Sequence, residues 1–238
     1  MGGYRTSLMY NVILCGYRDW SIKINEYVAS LDTINCIHMI RSKEEYDKIM
    51  PALTFNSIDF MLFIGWSWII KEDVLNKCLC LGIHPSDLPF YRGGSPIQHQ
   101  IIDGIIDTKI TLMSLSSEKI DAGDIYAKEN VSLSGNNMNE VFEHIIESSK
   151  LMLYNFITNY DKIKPQKQSL KNGSYYKRRT PHESSLSFEI MSGMTLEQIY
   201  NFMRALTDPY PNAYIEDNEG NRLVFKQVEY IPKHTPIG

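Results

Sequence analysis

Short apolar runs alternate with amphipathic ones through the first half of the chain. Tyr10 to Gly16 is a β-branched apolar run ending at glycine, the pattern of a strand buried on both faces. Between Trp20 and Leu31, the residues Ile22, Ile24, Tyr27, Val28 and Leu31 recur at helical spacing. The pattern then predicts a strand over Asn35 to Ile40, a charged helix over Ser42 to Met50 and an apolar run from Asp59 to Gly65. A short helix over Lys71 to Asn76 and a strand over Cys78 to His84 follow. Strand–helix alternation with short links predicts an α/β fold built on a doubly wound parallel sheet. In such sheets ligands bind beyond the carboxyl ends of the strands, marked here by Gly16, Gly65 and the segment starting at Gly82. No G-x-G-x-x-G follows the first strand, so a dinucleotide is not indicated.

Further along, Ser95 to Asp103 reads as a helix with Pro96 in its first turn. Thr108 to Leu115 reads as a strand and Asp124 to Leu133 as extended. The longest helix is predicted over Asn137 to Tyr160, where Met138, Val141, Phe142, Ile145, Met152, Leu153 and Phe156 form one core-facing stripe. The chain turns polar over Lys162 to Asn172, which predicts a boundary between residues 1–162 and a small C-terminal subdomain, 163–238. That part holds the segment Tyr175 to Pro181, a helix over Leu196 to Leu206, and two strands, Ala213 to Glu216 and Leu223 to Glu229. Asp217 to Asn221 has the composition of a hairpin loop between those strands.

Composition narrows the class. The 238 residues are 43% hydrophobic and 22% charged, ordinary for a soluble globular protein. A formal net charge of −4 is unfavourable for a protein gripping nucleic acid through its phosphates. Cys15, Cys36, Cys78 and Cys80 sit in apolar runs without metal or disulfide spacing, as expected of buried thiols in a reducing, cytoplasmic compartment. No apolar run reaches the ~18 residues of a membrane span. Met1 to Ser7 has no apolar core or cleavage signature, and Met9 is an alternative start.

Two stretches carry chemistry. In Gly82-Ile83-His84-Pro85-Ser86-Asp87-Leu88-Pro89-Phe90-Tyr91-Arg92-Gly93-Gly94-Ser95-Pro96-Ile97-Gln98, a histidine leaves a buried strand and enters a proline- and glycine-rich loop. The loop leads into a helix, so a positioned imidazole, close backbone approach and free N–H groups meet in one place. In the second stretch, Ser117-Glu118-Lys119-Ile120-Asp121-Ala122-Gly123-Asp124-Ile125, two carboxylates flank a small-residue–glycine pair at a turn, which without His84 upstream reads as an ordinary Asp-Gly turn.

Together these stretches resemble the folate-dependent formyltransferase family, which includes methionyl-tRNA, glycinamide ribonucleotide and sugar N-formyltransferases. His84-Pro85-Ser86-Asp87-Leu88-Pro89, Arg92-Gly93-Gly94 and Asp121-Ala122-Gly123-Asp124 match its motifs in order and spacing, and the likeness runs from about Tyr10 to Leu133. The resemblance implies a Rossmann-like catalytic domain that takes N10-formyltetrahydrofolate as co-substrate, with no metal. It implies that His84 stabilises an oxyanion or moves a proton, with Asp121 orienting His84 and accepting charge from the attacking amine. The folate is expected at Phe63, Gly65 and Trp66 on one side and at Lys119, Ile120, Asp121 and Asp124 on the other. Trp66 and Trp68 either wall that pocket or serve in packing. One position departs: the family's asparagine, two residues before the histidine, is Gly82 here. Gln98, and after it Ser95, is expected to fill the space beside Gly82. Failing a replacement, a non-catalytic folate- or nucleotide-binding module stays open.

The C-terminal third bears on the acceptor. Arg204-Ala205-Leu206-Thr207-Asp208-Pro209-Tyr210-Pro211-Asn212-Ala213 resembles a segment of the transfer-RNA and sugar enzymes, and Tyr176 to Pro181 resembles one in the sugar enzymes. The transfer-RNA enzymes continue into an RNA-binding barrel domain, whereas this sequence ends at Gly238. With the acidic balance, this favours the amino group of a nucleotide-linked amino-deoxysugar, of dTDP type, for O-antigen polysaccharide. Another amine, on methionyl-tRNA or glycinamide ribonucleotide, is the alternative. A sugar nucleotide needs cations for its pyrophosphate; Arg92 and the cluster Lys177-Arg178-Arg179 are candidates, the cluster being equally readable as a solvated turn. Tyr91, Gly93, Gly94 and Ser95 complete the expected acceptor site, Tyr91 and Phe90 either stacking on substrate or covering the loop. A homodimer through the 213–229 hairpin is also expected.

Overall fold

The computed structural model describes residues 9–233, so the expectations for Met1 to Ser7 lie outside the described residues. The chain runs β1 (Tyr10–Cys15), α1 (Asp19–Ala29), β2 (Ile34–Ile40), α2 (Lys43–Ile49), β3 (Phe60–Phe63), α3 (Glu72–Leu75) and β4 (Cys80–His84). It continues through β5 (Arg92–Gly93), α4 (Pro96–Ile102), β6 (Asp107–Ser114), β7 (Ile125–Ser132) and α5 (Met138–Thr158). The last third holds β8 (Tyr175–Tyr176), α6 (Phe188–Ser192), α7 (Leu196–Ala205), β9 (Tyr214–Glu216) and β10 (Arg222–Val224). The central six-stranded sheet has the order β2-β1-β3-β4-β6-β7.

Alternation along the central strands divides the core. Val12, Leu14, Phe60, Leu62, Leu81 and Ile83 face the core that α1 and α5 cover. Ile13, Cys15, Met61, Phe63 and Cys80 face a second, smaller core shared with Tyr46 of α2 and Val74 of α3. This period of two makes the sheet buried on both sides. Gly82 and His84 fall in step with Cys80, on the smaller-core face.

The sheet is Rossmann-like and largely parallel, as expected, and within it β6 runs antiparallel to both β4 and β7. The reason lies in the connection. α4 has 7 residues and spans only about 10 Å, whereas the 8 residues of β6 cover roughly 26 Å. So short a helix does not carry the chain back along the strand, and the chain re-enters the sheet in the opposite sense.

The C-terminal part shares the main core: Leu186, Met203, Ala205, Leu206 and Ala213 are buried in it. The expected hairpin is present as β9–β10, but its second strand ends at Val224, short of Glu229. Arg204 explains much of the attachment. It is 3% exposed, and its guanidinium donates to Asn201 Oδ1 at 2.7 Å and to the carbonyls of Leu133 (2.7 Å) and Gly135 (3.1 Å). Among the described residues no helix is long and apolar enough to cross a membrane.

Two outcomes follow from this packing. Arg204→Ala strands two carbonyls and should lower unfolding free energy by about 3 kcal/mol in urea titration. Burial pushes the Cys78 thiol up to about 11 and Cys80 up to about 12, from an ordinary 9.0. Both should therefore resist alkylation at pH 8 until the protein unfolds. The native state keeps these protons where the unfolded chain releases them, so their contribution to stability is full below pH 9 and is lost as pH rises from 9 toward 12.

Candidate active site

His84 closes β4 and is 6% exposed. The loop after it folds on its own backbone: Ser86 Oγ donates to the Phe90 carbonyl at 2.6 Å, and Thr111 Oγ1 to the Ser86 carbonyl at 2.7 Å. Gln100 Nε2 reaches the Pro85 carbonyl at 2.7 Å. These bonds turn Tyr91, with φ +54°, so that its carbonyl lies 2.7 Å from His84 Nε2. A carbonyl only accepts, so Nε2 carries the proton. On the other side of the ring, Nδ1 faces Asp121 Oδ2 at 3.4 Å. The same Oδ2 accepts the Gly93 N–H at 2.8 Å. One carboxylate oxygen thus bonds the glycine turn and faces the strand-end histidine, a contact that becomes an ion pair when the ring carries a proton on both nitrogens.

Asp121 comes from the β6–β7 connection and has φ +52°, a left-handed conformation that costs a non-glycine residue of order 1–2 kcal/mol. Its turn is pressed against β6. A Cβ at Gly123 would lie 1.8 Å from the Ser114 carbonyl oxygen, and the Asp124 N–H donates to Ser114 Oγ at 2.9 Å. Only glycine fits at 123.

The Gly93-Gly94 pair admits the C-terminal strand. β5 pairs in parallel with β8, and the Gly94 N–H donates to the Tyr176 carbonyl at 2.9 Å. A Cβ at Gly93 would meet that carbonyl oxygen at 2.2 Å, and one at Gly94 would meet Arg178 Cα at 2.3 Å. The Tyr91 ring stacks on Tyr176 at 5.0 Å, and the two hydroxyls share Asp103 Oδ2 at 2.9 and 3.4 Å. Burial and the Asp103 carboxylate hold the Tyr91 phenol well above its ordinary range. Tyr91 therefore braces the loop, while Phe90 is exposed. Ser95, at φ +54°, accepts the Arg179 N–H through Oγ at 3.1 Å.

The cationic candidates divide. Lys177 and Arg178 are exposed; the charges of Arg178 and Arg18 lie near the Tyr210 phenol. Arg179 is half-buried over the Phe202 ring and donates to the Glu183 carbonyl, a structural role. Arg92 Nε is buried and finds no acceptor among the described residues.

Gln98 does not fill the space beside Gly82. A Cβ at Gly82 would meet Leu115 Cδ2 at 2.8 Å, so a leucine stands there. Gln98 is buried in α4 with its amide against the Tyr210 hydroxyl, and Ser95 is engaged with Arg179. The sequence offered no signal for Leu115, since the contact joins neighbouring strands only after the β4–β6 pairing forms. It gave none for Gln168 either, whose side chain reaches the Asp121 turn.

At the other expected wall, Phe63 is buried in the smaller core, and Gly65 turns with φ +59°. Trp66 packs on Tyr46 (5.4 Å), Phe63 (5.9 Å) and Trp68 (4.9 Å). Beyond it Ile69 is 92% exposed, as Ile120 on the Asp121 turn is 61% exposed. Lys119 is exposed and Asp124 half-buried. A cavity of about 650 Å³ lies elsewhere, lined by Tyr46, Asp47, Lys71, Asp73 and Lys77, and includes neither His84 nor Asp121.

A histidine and an aspartate face each other at the carboxyl edge of a largely parallel sheet, where α/β folds of this kind hold their ligands. The chain belongs to the formyl transferase family, whose model matches residues 24–152, just over half of the sequence and inclusive of both residues. It is 30% identical over 191 residues to the methionyl-tRNA formyltransferase of Rickettsia typhi, covering 78% of this chain and 60% of that protein. The chain spans about 60% of the length of such curated relatives. Among solved structures, it resembles methionyl-tRNA formyltransferase from Clostridium thermocellum (TM-score 0.72, 28% identity, covering 93% of this chain and 100% of that one). A sugar N-formyltransferase from Shewanella sp. FDAARGOS_354 shares the fold (TM-score 0.73, 18% identity, covering 94% and 100%).

The family uses N10-formyltetrahydrofolate, and the local chemistry fits a folate. Ile69 and Ile120 offer apolar surface, and Trp66 Nε1 is a buried donor with no acceptor among the described residues. A flat heteroaromatic ring with acceptor atoms at its edge is the kind of group that uses such apolar faces and such a donor.

Gly94→Ala tests the glycine turn. The added methyl must push the Arg178 segment away, so formyl-transfer kcat/KM should fall on the order of 10²-fold in steady-state assays.

Proposed function

We propose that this chain transfers the formyl group of N10-formyltetrahydrofolate to the amino group of a nucleotide-linked amino-deoxysugar. The observation that carries the transfer chemistry is the shared Asp121 carboxylate, bonded to the Gly93 N–H and facing His84 Nδ1. The bound folate supplies the formyl carbon. His84 Nε2–H, shared with the Tyr91 carbonyl at 2.7 Å, turns to the formyl oxygen as that oxygen gains charge. Asp121 takes up the proton of the attacking amine, directly or through water, and passes a proton to N10 as the bond from the formyl carbon to N10 breaks, so that tetrahydrofolate leaves and the formamide remains. With Leu115 beside Gly82, no side-chain amide assists from that position, and His84 carries the oxyanion stabilisation.

Phe63, Gly65, Trp66, Lys119, Ile120, Asp121 and Asp124 line the folate side. The acceptor side supports a sugar nucleotide: Arg92, Lys177 and Arg178 come from the two strands of the glycine turn, with Arg18 nearby, and suit a pyrophosphate. The sugar N-formyltransferase with the same fold is consistent with that acceptor. A second reading, methionyl-tRNA, is favoured by the names of the relatives in the 26–30% identity range. The reaction would take place in the cytoplasm, for surface polysaccharide synthesis. Exposed Leu223 and Val224 on the hairpin suit a homodimer, which light scattering would test.

A mass-spectrometric screen distinguishes the acceptors. The protein is mixed with N10-formyltetrahydrofolate and 3-amino or 4-amino deoxysugars linked to dTDP, UDP or GDP, beside methionyl-tRNA and glycinamide ribonucleotide. One formyl group gained by a sugar nucleotide supports the proposal; formylation of methionyl-tRNA alone refutes it in favour of the second reading. His84→Asn and Asp121→Asn should each reduce kcat on the order of 10²-fold or more. Wild-type turnover in either variant would remove the assigned roles.

A further inference from the structure

A single strap from the C-terminal part crosses both loops of the candidate site. At Gln166 it exchanges two backbone hydrogen bonds with Ile125, at 2.7 and 2.8 Å. Two residues on, Gln168 Nε2 donates to the Asp121 carbonyl at 3.1 Å and to the Gly123 carbonyl at 2.7 Å. The strap then reaches the other loop. Ser174 N–H donates to the Pro89 carbonyl at 3.2 Å, and Ser174 Oγ accepts the Tyr91 N–H at 2.8 Å. It ends as β8 along the glycine turn.

The geometry points to Gln168 as a positioning residue for Asp121. Asp121 sits in a left-handed conformation that its own backbone disfavours. The carbonyls of Asp121 and Gly123 converge on one point, where their dipoles repel unless a donor stands between them. The two N–H groups of one amide satisfy both. The orientation of that amide is determined, because a flipped Oε1 would face two carbonyl oxygens. Oε1 itself is buried and has no partner among the described residues. A buried amide oxygen without a partner is costly, and the two carbonyls that the same amide holds account for its presence. Holding this turn fixes where the Asp121 carboxylate meets His84 Nδ1 and the Gly93 N–H. The strap thereby sets the spacing between the two loops, with Ser174 performing the matching task at Tyr91.

This inference rests on the formyl-transfer reading for its kinetic consequence but not for its structural one. The test compares wild type, Gln168→Ala and Gln168→Glu by hydrogen exchange at residues 121–124 and by steady-state formyl transfer across pH. Gln168→Glu keeps the size of the side chain and removes its donors. Both variants should exchange faster in this turn. Both should lose kcat on the order of 10- to 100-fold, with KM for the folate changed by less than about threefold. The Gln168→Glu deficit should shrink relative to wild type at low pH, where the new carboxyl gains a proton to donate. Wild-type exchange and wild-type kcat in Gln168→Glu would overturn the proposal, leaving a packing role, even if Gln168→Ala failed to fold. Faster exchange in the variants of a protein that transfers no formyl group would support the positioning role and refute the formyl-transfer reading instead.

Discussion

One carboxylate oxygen organises this site. Asp121 Oδ2 accepts the Gly93 N–H at 2.8 Å and faces His84 Nδ1 at 3.4 Å, so three parts of the chain meet around it. Each part is held by a separate device. His84 is fixed by the buried end of β4, Gly93 by the parallel pairing with Tyr176, and Asp121 by a turn pressed against Ser114. The carboxylate cannot keep both partners if any of these moves by an ångström, which is the order of displacement that disables group transfer.

The same constraint accounts for the unusual backbone around it. Tyr91, Ser95 and Asp121 are non-glycine residues with positive φ, and all lie in the loops of the site. Such conformations persist where surrounding contacts over-determine them. Here those contacts are the Tyr91–Tyr176 stack on Asp103, the Ser95–Arg179 bond and the Gln168 amide. Much of the bracing comes from beyond residue 163, so the C-terminal part helps to shape the candidate site.

Legibility in the sequence followed the range of the interaction. Strands β1, β3 and β4 were readable because burial on both faces leaves uninterrupted apolar runs, and α5 because its stripe repeats at helical spacing. His84, Asp121 and the Gly93-Gly94 pair were readable as motifs, since each needs a particular residue type at a particular bend. The antiparallel sense of β6 was not, because it depends on the length of α4 against the strand it must return along. Nor was the occupant of the space beside Gly82. Gln98 was the expected occupant, but Leu115 arrives from the end of the adjacent strand, a contact that exists only after the sheet assembles. Gln168, 47 residues from Asp121, has no local pattern at all.

The most direct test is a crystal structure with 5-formyltetrahydrofolate bound. The account predicts the pteridine ring between residues 66–70 and 119–121, with its edge at Trp66 Nε1 and the N10 side of the molecule against His84. Density for the ring in the cavity of about 650 Å³ beside α2 and α3 instead, remote from His84 and Asp121, would contradict it.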